Sequence, residues 1–370
     1  LAPDDDVALF PYDDKVVCLS PLVPAKEKDS LLRALDGVHE GGCTNLHGGW
    51  HAGAEALLPA VEESSLSRVI LLSDGNANAG ETDPTEIARQ CAELLAQGVS
   101  TSTYGLGHEF NEALMVTMGQ QGGGSHYYGA TAEDLFEPFA EELDLLANLY
   151  ARGLTLSVGT HEGIEVEVLN AYPQVERSDF PAWRLPDVAW GAEAWAMLKV
   201  IVPVELVRQE SLAVLQVAVS GIGLDGRPVS LPDAKLTLPV LPAHAFAAIA
   251  HSELVERRLL ELEAARFLTL AREAAMKGQW DTVQSILAEA TRRLGTHEWV
   301  KEILAQIGKL VQRRDRGAFG KEVLYSAFRL QSRLAETEEA MVLNEAAKPG
   351  YLRRKKAQGL AEFVRCEGGE

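Results

Sequence analysis

The sequence predicts an α/β fold with a doubly wound, mainly parallel sheet, followed by an antiparallel β-sandwich and an α-helical C-terminal region. Three observations carry this expectation. Between residue 6 and about residue 150, short β-rich runs alternate with helical stretches, the pattern of a parallel sheet covered by helices. From Gly153 to Leu241 the apolar period becomes two, the period of strands with one face buried. Beyond "LPVLPAH" the chain reads as one helix after another. The boundaries drawn from these changes are 1–152, 153–243 and 244–370.

In the first region, "DVALFPY" and "KVVCLSPL" flank "DDK" and read as a hairpin, while "RVILLSDG" is a continuous apolar strand, the kind buried on both faces. "GGCTNLHGGWHAGAEALL", residues 41–58, places an amphipathic helix after two glycines. "DPTEIARQCAELLAQG" opens on Asp83 as a cap and closes on Gly98. "VSTSTYGLG" is the next strand, "NEALMVTMGQQGGG" a helix with a glycine stop, and "SHYYGA" a short strand. The long run "AEDLFEPFAEELDLLANLYARG" closes the region.

In the second region, Ile164, Val166 and Val168 alternate with acids, and Asp225-Gly226 marks a tight hairpin turn. In the third, "HSELVERRLLELEAARFLTLAREAAMKGQW", "DTVQSILAEATRRLG" and "HEWVKEILAQIGKLVQRR" predict a helical bundle. "KGQWDTVQSILAEATRRL" resembles half of a tetratricopeptide unit, and a single half-repeat does not make an array.

With 370 residues, 46% of them hydrophobic, the chain is long enough for two or three cores. Its net charge of -20 repels phosphate backbones and argues against a nucleic acid partner. The charge is uneven: residues 1–150 hold 6 basic and 25 acidic side chains, and residues 251–370 hold 21 and 18. That contrast predicts a weak, salt-sensitive attraction of the helical region for the acidic one, through "QRRDR" at 312–316 and "RRKK" at 353–356. Cys18, Cys43, Cys91 and Cys366 lie far apart, which argues against a cysteine zinc site and favours a reducing, cytoplasmic compartment. No apolar run reaches the roughly 18 residues of a membrane span. The opening Leu1 leaves room for an upstream targeting segment.

Ligands of open α/β sheets bind beyond the carboxyl ends of the strands, and Asp74 follows "RVILLS" at such an end. Thr44 opens the preceding helix and has two readings: an N-cap, or a ligand converging with Asp74. Such an oxygen-only pair suits Mg²⁺ or Mn²⁺. "GLGHEF" lacks the third glycine of a dinucleotide fingerprint, no P-loop occurs, and "GGSHY" is not a nucleophile elbow. His47 and His51 have the spacing of a zinc pair without its H-E-x-x-H and read as packing or surface residues. His108 and Glu109 follow a strand end and read as loop residues on the same rim.

"GGCTNLHGGWHAGAEAL", "RVILLSDGNANAGETDP" and "TYGLGHEFNEALMVTMGQQGGGSHYYGA" resemble the second half of a von Willebrand factor A (vWA) domain. The likeness is greatest to soluble bacterial proteins in which a β-domain and a helical tail follow, and "LPDVAWGAEAWA" and "EVLYSAFRLQSRL" echo them more weakly. The resemblance implies a metal-ion-dependent adhesion site on three loops: Asp-x-Ser-x-Ser on the first strand, a threonine on the second loop, and an aspartate before glycine on the third. Thr44 matches the second and Asp74, followed by Gly75, the third. The Asp-x-Ser-x-Ser is absent. The resemblance therefore implies a Rossmann-like sheet lacking its first central strand, with metal binding weak or absent in this chain. Either an upstream segment carries that strand or the sheet is a gapped remnant.

The function implied is a non-enzymatic binding module in which Mg²⁺ bridges to an Asp or Glu of a partner protein. The alternatives are a metal-free assembly scaffold and a metal-assisted hydrolase, which would need a general base and has no candidate beyond Asp74.

Overall fold

The computed structural model describes residues 1–39, 41–62, 65–176, 180–207, 210–332 and 334–336. These fall into two compact units, one ending at Asn148 and one beginning at Leu149. The first contains β1 (Asp6–Leu9), β2 (Ser20–Pro24), α1 (Lys28–Leu35), α2 (Leu46–Leu57), β3 (Ser67–Ser73), α3 (Pro84–Ala96), β4 (Val99–Leu106), α4 (Glu112–Gln121), β5 (Gly123–Gly129) and α5 (Ala132–Ala147).

Strands β3, β4 and β5 form a parallel sheet in that order, with Leu72 opposite Tyr104 and Tyr104 opposite Tyr127. Each crossover is helical, as a parallel sheet requires. Asp83 caps α3 by accepting from Thr85 N, and Asn111 caps α4 by accepting from Leu114 N. Gly98 turns the chain from α3 into β4 at φ +96°, a conformation that glycine adopts without a steric penalty.

The hairpin expected at the start forms with shorter strands. Asp6 pairs with Pro24 and Val7 with Val23, while Lys15–Leu19 lies in the connection, where an isolated bridge joins Tyr12 and Val16. The "DDK" turn thus closes on a single bridge, and the ladder resumes farther back after a register shift between Val7 and Leu9. The β1–β2 pair is a sheet of its own. Among the described residues β3 pairs with β4 on one edge and with no strand on the other. Helix α2 packs on β1, β2 and β3 alike.

The second unit opens with β6 (Leu149–Thr160), so "LYARG" is the start of a strand and not the end of the preceding helix, which stops at Ala147. It continues with β7 (Glu165–Val168), β8 (Gln174–Val175), β9 (Ala182–Arg184), β10 (Val188–Ala189), β11 (Ala192–Glu193), β12 (Leu198–Ile201), β13 (Ser211–Gly223), β14 (Pro228–Ser230) and β15 (Ala234–Pro239). The large antiparallel sheet runs β14-β13-β6-β9-β8, with β10 on β6 and β15 on β13. Gly226, at φ +74°, turns β13 into β14. The β7–β12 pair lays Val166, Leu198 and Val200 against Leu154, Leu156, Val158 and Val214, so two β-layers share one core.

Helices α6 (Ala243–Phe246), α7 (Glu253–Met276), α8 (Trp280–Leu294), α9 (Glu298–Val311) and α10 (Arg316–Ser332) follow, with β16 (Ala335–Glu336) on β11. Each long helix packs on the next, and α10 returns to α7, which makes a closed bundle. Asp315 of "QRRDR" accepts from Gly317 N and Ala318 N at the head of α10. The "RRKK" cluster at 353–356 and Cys366 lie outside the described residues. Inside the bundle, burial raises the Glu261 carboxyl, but hydrogen bonds from His297 and Arg258 outweigh it and hold the group below its usual range.

Candidate functional site

At the carboxyl end of β3 the loop of Thr44 lies against the turn that carries Asp74. Ser73 donates its hydroxyl to Gly75 O at 3.1 Å and closes the turn that displays Asp74 on the surface. Thr44, on the loop entering α2, stands against that turn: a methyl group on Gly75 would lie 2.8 Å from Thr44 Oγ1. Asn78 fastens the two loops together. Its side-chain oxygen accepts from Thr44 N at 2.8 Å and its N–H donates to Thr44 O at 3.2 Å.

These bonds correct the capping reading of Thr44. The cap of α2 is Asn45, whose Oδ1 accepts from Gly48 N at 3.0 Å, while Asn45 N donates to Asp13 O. The capping role assigned to Thr44 thus passes one residue along the chain. With its backbone held by Asn78 and its side chain half-buried against Gly75, Thr44 Oγ1 does no capping work.

Sequence reasoning missed Tyr12. Its ring lies against Gly49 of α2, where a Cβ would come within 2.3 Å of it. Its hydroxyl donates to Leu72 O at 2.5 Å. Burial chiefly, with the Asp74 charge adding to it, pushes the phenol up to about 12 against a hydrogen bond with Ser73. Tyr12 therefore stays protonated at neutral pH and serves as a donor. The contact joins residues 60 positions apart, and its sequence signal, an aromatic beside "DD", is indistinguishable from an ordinary turn.

The other candidates are occupied elsewhere. His47 donates through Nε2 to Gln90 Oε1 at 2.7 Å and lies tilted against Trp50, and His51 pairs with Glu55. His108 Nδ1 lies 3.3 Å from the Tyr128 hydroxyl.

As a metal site the edge is sparse. Thr44 and Asp74 are hard oxygen donors, the chemistry Mg²⁺ selects, and they leave most of an octahedron to water or to another chain. Among the described residues no three His, Cys, Asp or Glu side chains converge on one point. A cation held here would have open positions for an incoming carboxylate, and Thr44 and Asp74 would be the residues that hold it.

The parallel sheet, its covering helices and the paired loops at its carboxyl edge define a class: residues 2–142 match the von Willebrand factor type A domain family. The chain is a vWA-domain protein. It is 27% identical over 129 residues to the uncharacterized protein YfbK of Escherichia coli, an alignment covering 35% of this chain and 22% of that one. It thus spans about a fifth of the length of this curated relative. Among solved structures, a von Willebrand factor type A protein from Catenulispora acidiphila superposes with a TM-score of 0.65 at 17% identity, over 83% of this chain and 74% of that one. The ArnB paralog VWA2 from Sulfolobus acidocaldarius gives 0.58 at 18% identity, over 89% and 79%. Human COPII-coat protein Sec24c gives 0.51 at 16%, over 88% of this chain and half of that one. At these identities the likeness is one of fold, and its coverage extends well beyond residue 142. No helix among the described residues is long and apolar enough to cross a membrane.

Proposed function

We propose that the chain is a cytoplasmic protein-binding module whose recognition edge is the Thr44 loop and the Asp74 turn. A weakly held Mg²⁺ or Mn²⁺ there would bridge to an Asp or Glu of the partner. The observation that carries this reading is the holding of the Thr44 backbone, beside Gly75, by the side-chain oxygen and the backbone N–H of Asn78. Capping gives Thr44 no reason to be there, and its hydroxyl stands against Gly75, the residue that follows the exposed Asp74. A divalent cation would also offset the repulsion between an acidic surface and an acidic partner. In this reading residues 1–152 recognise, while residues 153–243 and 244–370 form the platform.

The test is Mn²⁺ binding by electron paramagnetic resonance on the 370-residue chain, with Thr44→Ala and Asp74→Ala alongside. The expected result is binding in the millimolar range, lost in both variants and competed by Mg²⁺. Equal binding by the three proteins would place the ion elsewhere on the acidic surface, and no binding would favour the metal-free scaffold.

A further inference from the structure

Two turns meet at one end of the helical bundle. Gly278, between α7 and α8, lies against the Arg316 guanidinium, whose Nη2 would be 2.6 Å from an added Cβ. Arg316 opens α10 just after the turn from α9. The contact gathers Lys277, Arg314 and Arg316 on adjoining turns, all three exposed. No ion pair joins any of them to another described residue, whereas Arg258, Arg292 and Arg293 of the same bundle face Glu261, Glu289 and Glu263.

Both arginines stand where the local backbone disfavours them. Arg314 has φ +52° and is the one non-glycine residue with a positive φ among the described residues. In that conformation Cβ crowds the following carbonyl oxygen, a clash that glycine escapes. The turn after α7 shows the ordinary solution, Gly278 at φ +73°. Arg316 occupies the first turn of α10, where the helix dipole presents partial positive charge and an acid is the favourable residue. Lys277 differs, since a cation at the end of α7 complements the carbonyl groups there. Backbone preference and pairing within the bundle thus leave both guanidinium groups unexplained, and a ligand from outside the bundle explains them.

We propose that this end of the bundle binds a short acidic segment of a partner protein, whose Asp and Glu side chains bridge Arg314, Arg316 and Lys277. Arginine offers a planar fork that meets a carboxylate with two parallel hydrogen bonds. Asp315, the acid within the patch, is turned to the backbone, with Oδ1 accepting from Gly317 N and Ala318 N. The extent of the patch sets the length of the ligand. Exposed Glu273 lies one turn before Lys277, and exposed Asp281 stands three residues after Gly278, so acids bound it along α7 and α8. Six extended residues span about 20 Å, the reach of two adjoining turns. A nucleic acid carries charge along its whole length and would continue over a chain whose net charge is -20, which favours the peptide. Thr44, Asp74 and a metal take no part, so failure here is separable from failure of the metal reading.

The probe is a fluorescein-labelled hexaglutamate peptide, titrated by anisotropy into the 370-residue chain. Saturable binding is expected, unaffected by EDTA and weakened by salt. Arg314→Gly separates side chain from backbone: its melting temperature should hold or rise as the strain is relieved, while affinity falls about threefold, as for one exposed ion pair. Arg316→Gln should weaken the peptide by a similar factor, and the two changes together by about tenfold. Arg266→Gln is the control. It removes an exposed charge about 16 Å along α7 from Lys277, beyond the screening length of about 10 Å, and should leave affinity unchanged, as should Arg353→Gln in the other basic run. The proposal is overturned if no saturable binding occurs, or if the Arg314 and Arg316 variants bind as tightly as the unaltered chain. It is overturned too if either control weakens binding as much, which would mark diffuse charge attraction, or if Arg314→Gly melts several degrees lower, which would give Arg314 a structural role. Tighter binding of an oligothymidylate several times longer than the peptide would assign the patch to nucleic acid and overturn it as well.

Discussion

Strands β3 and β4 lie side by side, yet their burial runs opposite to their composition. β3 reads Ser-Arg-Val-Ile-Leu-Leu-Ser, and its Leu72 is 46% exposed. β4 is mostly Ser, Thr, Tyr and Gly, and every residue from Val99 to Gly105 is buried. The difference lies in neighbours. β4 is paired on both edges, and its hydroxyls have assigned partners. Thr101 accepts from Trp50 Nε1, Thr103 donates to Met115 O, Ser102 donates to Glu142, and Ser100 donates to Ser67 O. Burial without apolar character is affordable because each polar atom is met. β3 has the composition of an interior strand and the setting of an edge strand, and that surplus of hydrophobicity marks the missing neighbour.

The largest expected effect separates two residues in register. Tyr104 is fully buried, stacks on Tyr127 and lies against Phe139. Tyr104→Ala should cost about 3 to 5 kcal/mol, the range for an emptied aromatic site, in urea unfolding. A loss under 1 kcal/mol would show that β4 is less enclosed than its geometry indicates.

Trp50→Phe keeps most of the apolar packing and removes the donor to Thr101. It should cost about 1 to 3 kcal/mol, the range for leaving a buried group unsatisfied. Next come the adjacent loop residues. Asn45→Ala should cost about 1 kcal/mol as a lost cap, and Thr44→Ala distinctly less. The reverse order would restore Thr44 to the capping role. The smallest effect belongs to β3: Leu72→Thr, opposite Tyr104, should stay within about 0.5 kcal/mol, as ordinary surface changes do. A larger loss would mean that something already covers that edge.

The alternation of strand and helix was legible because each period is local. Asp83, Asn111 and Gly98 announce their helix ends within a few residues. The choice between Thr44 and Asn45 was not legible. Two adjacent residues of equal capping ability are told apart only by tertiary bonds, from Asn78 to one and from Asp13 to the other. The break between α5 and "LYARG" was not legible because Leu149 follows Leu145 and Leu146 at the four- and three-residue spacing of a helix, so the run has no local mark of where the strand begins. Thr44 and Asp74 were visible only through a resemblance; the structure sets Thr44 against Gly75, the residue after Asp74. Tyr12 was invisible, since nothing near it announces a partner at Leu72.

The Arg68–Glu142 pair bears on the order in which the chain is made. The guanidinium and carboxylate are both buried, Nη1 to Oε1 at 2.6 Å, and lie 74 residues apart in sequence. Tyr127 donates to the same carboxylate, with its phenol pushed well above its ordinary value by burial first and by the Glu142 charge next. On the ribosome, Arg68 emerges long before its counter-charge, and burying it alone would cost several kcal/mol. The sheet therefore has reason to wait, and the unit should close only once α5 has left the exit tunnel, a few residues before β6 begins at Leu149. A nascent chain stalled before residue 142 should accordingly leave Arg68 without its counter-charge and be cut readily by added protease, whereas one stalled well past it can bury the pair.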